Sequence, residues 1–112
     1  MNQILLDTIA RELLSWPGVT EVEGRFNSIE YRYGKREIGH IHRSGIADLP
    51  FSRAIHDDLI ATGRAYPHQA GSPGYVSVPI RNESDVRDLI ELFRMNYERA
   101  KESAARRERA HT

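Results

Sequence analysis

The sequence predicts an α+β fold: an antiparallel sheet packed against N-terminal, middle and long C-terminal helices. Three observations carry this. Apolar residues recur with a 3.6-residue period near both ends of the 112-residue chain, they alternate with a period of two in between, and Gly and Pro punctuate the changes.

Residues 2–15 place Ile4, Leu5, Ile9, Leu13 and Leu14 on one helical face, with Asp7, Arg11 and Glu12 largely opposite, before Trp16-Pro17-Gly18 stops the helix. From Val19 the pattern is extended, and Ile29, Tyr31 and Tyr33 alternate with Glu30 and Arg32 up to a two-residue turn at Gly34-Lys35. After Gly45 the period changes again. Asp48 then reads as an N-cap, and Phe51, Ile55 and Leu59 repeat at i, i+4, i+8 before Gly63, which predicts a helix over 49–62. "RAYPHQAGSPG" reads as a short extended piece and a loop, followed by a strand over "YVSVPI", in which Pro79 marks a sheet edge or a strand end. Asn82 or Ser84 caps a last helix whose stripe is Val86, Leu89, Ile90, Phe93, Tyr97 and Ala100. The chain divides into one domain over 1–100 and a polar tail, 101–112, with no large apolar residue to hold it to a core, expected as a fraying helical end.

Within this frame the stretch "REIGHIHRSGIADLPF" attracts attention. With Tyr33 opposite Arg36, an unbroken hairpin register sets Tyr31 against Ile38, Ile29 against His40 and Asn27 against His42. Both histidines then share the apolar face of the sheet, where an unsatisfied imidazole costs on the order of 1–3 kcal/mol. An H-x-H pair on a strand also presents both rings to one side, with Cα atoms roughly 6–7 Å apart. That is a workable spacing for metal ligands, and Asp48, His56 or His68 would supply a third.

Composition removes several functional classes. Sixteen Lys and Arg balance sixteen Asp and Glu, so no basic surplus points to nucleic acid. No run approaches the roughly eighteen apolar residues of a membrane span, and the charges at 7, 11 and 12 are unlike a signal peptide, which makes a soluble, cytoplasmic protein the expectation. The absence of cysteine excludes disulfides, thiolate catalysis and Cys-based metal centres. Neither a dinucleotide nor a P-loop spacing occurs, no serine stands in a nucleophile elbow, and no cofactor is expected. With neither cysteine nor a recognised ligand spacing beside the H-x-H pair, the sequence expectation is also no metal.

The pieces "EIGHIH", "ADLPF", "RAYPH" and "YVSVPI" resemble small bacterial proteins of the luciferase-domain family, over roughly residues 16–97. The order of elements also looks like the layout of MmcQ/YjbR-like proteins. The resemblance implies a compact α+β domain with helices from both chain ends over an antiparallel sheet. Longer eukaryotic proteins sharing the domain oxidise a small phenolic pyrone with oxygen, an activity that a fold-level likeness does not transfer. The motif falls on His40, His42, Asp48 and His68 and assigns them no role.

The functional expectation is a small-molecule-binding domain with a histidine-lined pocket at His40, His42, Asp48 and His68, with Tyr31 among the aromatic residues beside it. One alternative is an enzyme with oxidative or acid–base chemistry on a small aromatic substrate, drawing its groups from His40, His42, His68 and Asp48. Another is a protein-interaction module using the sheet edge near Pro79 or the basic tail. The expected assembly is a monomer or weak homodimer, without nucleic-acid or membrane partners.

Overall fold

The computed structural model describes residues 1–68 and 73–111. The loop expected after His68 therefore lies partly outside the described residues. Among the described residues nine elements follow in chain order: α1 (Gln3–Leu14), β1 (Val19–Glu23), β2 (Ser28–Tyr33), β3 (Arg36–His42), β4 (Ile46–Pro50), α2 (Arg53–Ala61), β5 (Tyr66–Pro67), β6 (Tyr75–Pro79) and α3 (Glu83–Ala110). The strands form one antiparallel sheet in the order β1-β2-β3-β4-β6-β5. The α+β class and its three helices stand as the sequence predicts.

Helix α1 starts at Asn2, whose side chain accepts from the Ile4 amide at 2.8 Å. Its inward face is Leu5, Leu6, Ile9 and Leu13, while Ile4 is 71% exposed, so the buried stripe is rotated from the expected one by about a residue. Helix α3 is capped by Asn82, which accepts from the Asp85 amide. It lays Val86, Leu89, Leu92, Phe93, Asn96, Tyr97 and Ala100 inward, with Ile90 only partly buried. Residues 101–110 continue the same helix, largely exposed and braced by a Glu102–Arg106 pair one turn apart.

The two helices close one face of the sheet. Tyr97 donates its hydroxyl to the Pro17 carbonyl at 2.7 Å, and its ring meets Trp16 at 5.3 Å and Tyr33 edge-on at 5.5 Å. The turn after α1 is thereby fixed to α3. Further along, Phe93 presses on Gly39 so closely that a Cβ there would stand 2.5 Å from the ring, and the same ring packs edge-on against Tyr31.

Two expectations are overturned here. The hairpin register is not continuous: Tyr33 pairs with Arg36 and Arg32 with Glu37, but Tyr31 then pairs with Gly39, Glu30 with His40 and Ser28 with His42. Ile38 is the extra residue of a β-bulge, and every later residue of β3 is moved to the other face. The second correction concerns residues 46–50, expected to run into a helix capped by Asp48. They form β4, paired to β3 on one side and β6 on the other, and Asp48 sits mid-strand; α2 begins only at Arg53, with Ser52 at the cap position. Ladder hydrogen bonds on both edges outweigh the helical spacing of Phe51, Ile55 and Leu59, which acts only after Pro50.

The bulge has a specific support. Ile38 has no cross-strand partner in β2 or β4, and its carbonyl accepts instead from Asn96 Nδ2 on α3 at 3.1 Å; the same nitrogen donates to the Pro50 carbonyl at 2.6 Å. Asn96→Ala leaves the Ile38 carbonyl unpaired in a buried place and the Pro50 carbonyl in a partly buried one; at 1–3 kcal/mol for a buried group and less for the second, we expect a loss of about 2–4 kcal/mol in a urea melt. A loss below about 0.5 kcal/mol would show that the bulge does not need this contact.

Candidate functional site

The bulge divides the residues of β3 between two environments. Ile38, Gly39 and Ile41 are buried beneath the helices with Tyr31, whereas His40 and His42 stand on the opposite, open face. Alternation in the neighbouring strands adds to that face. Ala47 and Leu49 turn to the core and Asp48 away from it; Val76 and Val78 turn to the core and Tyr75 and Ser77 away. Because His40 and Ser77 are the cross-strand neighbours of Asp48, the carboxylate arrives between an imidazole and a hydroxyl.

Three imidazoles converge on one oxygen of that carboxylate. Asp48 Oδ2 lies 3.0 Å from His42 Nε2, 3.2 Å from His40 Nε2 and 3.3 Å from His68 Nε2. The other oxygen, Oδ1, accepts from the Ser77 hydroxyl at 2.6 Å. On the far side of its ring, His40 Nδ1 is 2.6 Å from Glu37 Oε2, and Glu37 Oε1 accepts from the Tyr75 hydroxyl at 2.9 Å. A connected network thus runs from Tyr75 through Glu37 and His40 to Asp48, with His42 and His68 joining at its end. Asp48, 2% exposed, is its buried centre.

The charges in this network are strongly coupled. Hydrogen bonds to Asp48 and then Glu37 push the His40 imidazole up to about 9, against the opposing effect of burial. Burial acts to raise the Asp48 carboxyl, yet hydrogen bonds from His40 and Ser77 and the charge of His68 hold it at about 2. Tyr75 is pushed above the usual phenol range, first by burial and then by its bond to Glu37.

Above the network the open face forms a cleft of about 760 Å³. His40, His42, His68 and Tyr75 line its floor, and Arg25, Phe26 and Arg32 its rim. Phe26 is 87% exposed and shares with Asn27 a left-handed backbone, φ +56° at each, which non-glycine residues seldom adopt. The loop is held from outside by Arg43, which donates to Glu23 at 2.8 Å and Asn27 at 3.0 Å.

The structure therefore gathers His40, His42, Asp48 and His68 from the sequence prediction, but on the face opposite to the one expected. Tyr31 is not with them. It is fully buried on the helix-covered face against Phe93, with the sheet between its ring and the cleft. His56 is also elsewhere, on α2 beside Asp57 at 2.9 Å. Glu37 and Ser77 were not anticipated. Ser77 has a signal in the sequence, because the alternation of "YVSVP" puts it on the non-core side; Glu37 keeps its expected register, and it is the bulge, which has no such signal, that brings His40 to its face.

In chemical terms the cluster offers three Nε2 donors, a buried carboxylate and a clamped imidazole below an open cleft. His40, His42 and Asp48 have ligand atoms within 4.8 Å of one another, the kind of set that holds a metal ion. A model of the Luciferase domain matches residues 35–96, a span that includes the whole cluster and begins later than the likeness expected from residue 16. No curated protein and no solved structure gives a significant match, so the likeness to MmcQ/YjbR-like layouts has no counterpart there.

With metal removed by a chelator, the His40–Asp48 pair sets a pH window. His40 is raised in the folded state, so its contribution is complete below about 6.5 and is lost as pH rises through about 9; Asp48 is lowered, so its contribution is present above about 4 and is lost towards pH 2. We expect chelator-treated protein to lose about 2 kcal/mol between pH 6.5 and 9.5 in denaturant melts. Asp48→Asn should flatten this slope and return the His40 titration, followed by NMR, towards the ordinary histidine range. An unchanged His40 titration in Asp48→Asn would contradict the assignment.

Proposed function

The chain belongs to the Luciferase domain family, and on that premise we propose that its open-face cleft binds a small molecule, with the histidine cluster as the polar floor. The single observation that carries this is the position of the charged network. Three imidazoles line the bottom of a 760 Å³ cleft, and the carboxylates of Asp48 and Glu37 that bind them lie behind. Stability alone does not call for such a group, since partly buried ion pairs gain little over apolar packing of the same volume. Pockets that combine convergent polar groups with displaced protonation equilibria are the common form of ligand sites.

The rim suggests the class of ligand. Phe26 presents an aromatic face at the mouth, the Tyr75 ring lies 5.9 Å from His40 and 6.0 Å from His68 within the floor, and the rim mixes charges, with Arg25 and an Arg32–Glu30 pair beside Glu23. A small aromatic molecule bearing a hydroxyl or carboxylate fits this combination: its ring stacks on Phe26 and its polar group meets the arginines or imidazoles.

A second reading, an enzyme at the same place, draws support from the clamped His40. An imidazole held between Glu37 and Asp48 is oriented for proton transfer, and the family name denotes an oxidative chemistry. Oxygen uptake separates the two readings. The binding reading expects a phenolic pyrone to be retained without oxygen consumption, and the enzymatic reading expects consumption that His40→Ala removes.

The binding reading is tested with 4-hydroxybenzoate as the probe, by thermal shift and calorimetry. Phe26→Ala, at an exposed position that leaves the fold intact, should weaken binding roughly three- to tenfold, in keeping with about 0.5–1.5 kcal/mol for an aromatic pair. Binding that is equal in wild type, Phe26→Ala and Arg32→Ala would place the probe outside the cleft.

A further inference from the structure

We propose that Asp48 Oδ2 and the Nε2 atoms of His40, His42 and His68 form a site for one divalent transition-metal ion. This goes beyond small-molecule binding and does not depend on it, because the donor set is defined without any ligand in the cleft.

The first ground is the arrangement of donors. One carboxylate oxygen has two lone pairs, yet three ring nitrogens close on Asp48 Oδ2 while Ser77 already occupies Oδ1. His40 and His42 are at hydrogen-bond distance from that oxygen and His68 at ion-pair distance, so all three rings point a nitrogen at one centre. Around a tetrahedral ion with bonds of about 2.0–2.1 Å to N and O, neighbouring ligand atoms stand roughly 3.3 Å apart. The observed Nε2–Oδ2 separations of 3.0, 3.2 and 3.3 Å are close to those edges. The ligand atoms of His40, His42 and Asp48 all lie within 4.8 Å of one another, so the three side chains face a common centre.

The second ground is the surrounding shell. Metal-binding imidazoles are usually held by a carboxylate on the ring nitrogen that faces away from the metal. His40 has this arrangement, Nε2 towards Asp48 and Nδ1 2.6 Å from Glu37, and Glu37 is itself held by the Tyr75 hydroxyl. Asp48 is oriented in the same way: the Ser77 hydroxyl fixes Oδ1 and turns Oδ2 towards the rings. Both features position groups for a guest at the centre.

The third ground is access and selectivity. Three imidazoles and one carboxylate suit zinc, cobalt, iron or manganese in the divalent state, and not calcium or magnesium, which need mainly oxygen ligands. The cluster is also the floor of an open cleft, so a position remains on the cleft side for water or a bound molecule.

The test uses untagged, chelator-treated protein titrated with Zn²⁺ by calorimetry and with Co²⁺ by visible absorption. One equivalent of Zn²⁺ should bind and raise the melting temperature, and Co²⁺ should give the d–d bands of a low-coordinate nitrogen and oxygen site. His42→Ala and His68→Ala, checked for folding by circular dichroism, should each weaken Zn²⁺ at least tenfold, with His56→Ala unchanged. Failure to saturate at one equivalent, or equal affinity in wild type, His42→Ala and His68→Ala, overturns the proposal. 4-Hydroxybenzoate binding, measured with and without Zn²⁺, separates the two readings: retention by metal-free protein alongside absent Zn²⁺ binding rejects only the metal, and Zn²⁺ binding without the aromatic probe rejects only the ligand class.

Discussion

Asn96 reaches from the middle of α3 to the carbonyls of Ile38 and Pro50, and through them holds together the two strands that carry the site. The first of these carbonyls belongs to the extra residue of the bulge, which no strand pairs. A buried carbonyl without a partner is costly, so the helix and the bulge stabilise each other. Gly39 completes the fit by leaving room for Phe93 where any side chain would collide with it. The irregularity in β3 is therefore built into the packing of the helix on the sheet.

From that constraint the rest follows by alternation. One face of the sheet carries Tyr31, Ile38, Ile41, Ala47, Leu49, Val76 and Val78 into the core beneath α1 and α3. The opposite face carries Glu37, His40, His42, Asp48, Tyr75 and Ser77, which bind one another rather than the core. A charged network on the core face would face the full cost of desolvation against packed hydrocarbon. On the open face it is only partly desolvated, and it borders a cleft. Among the described residues, the non-glycine positions with left-handed backbone are Phe26 and Asn27 at the cleft rim, where Arg43 holds the loop.

Much of this was legible in the residues. The stripe of α3, the stop after Trp16, the turn at Gly34-Lys35 and the strand over "YVSVP" all follow from local periodicity and turn chemistry, which tertiary contacts then reinforce. The three histidines were legible as a group because "GHIH" and "AYPH" place them in or beside extended segments, and Asp48 joined them as the expected cap of the helix that follows. The face they occupy was not. A single inserted residue inverts it, and the support for that insertion comes from Asn96, almost sixty residues away, with no local trace. β4 escaped for a related reason: a five-residue strand with an aspartate at its centre has weak propensity of its own and is fixed by pairing on both edges. Tyr31 was placed with the histidines only through the unbroken register, and the bulge separates them.

The bulge at Ile38 puts His40 and His42 on the open face, converging with His68 on Asp48. Proton–proton contacts to the assigned imidazole rings, measured by NMR on isotope-labelled protein, test it most directly. The His40 ring should show contacts to the rings of His42 and Tyr75, whose centroids lie 5.0 and 5.9 Å away, and none to Phe93. Contacts from His40 or His42 to Phe93 or Leu89 would mean an unbroken register with the imidazoles beneath the helices, and would contradict it.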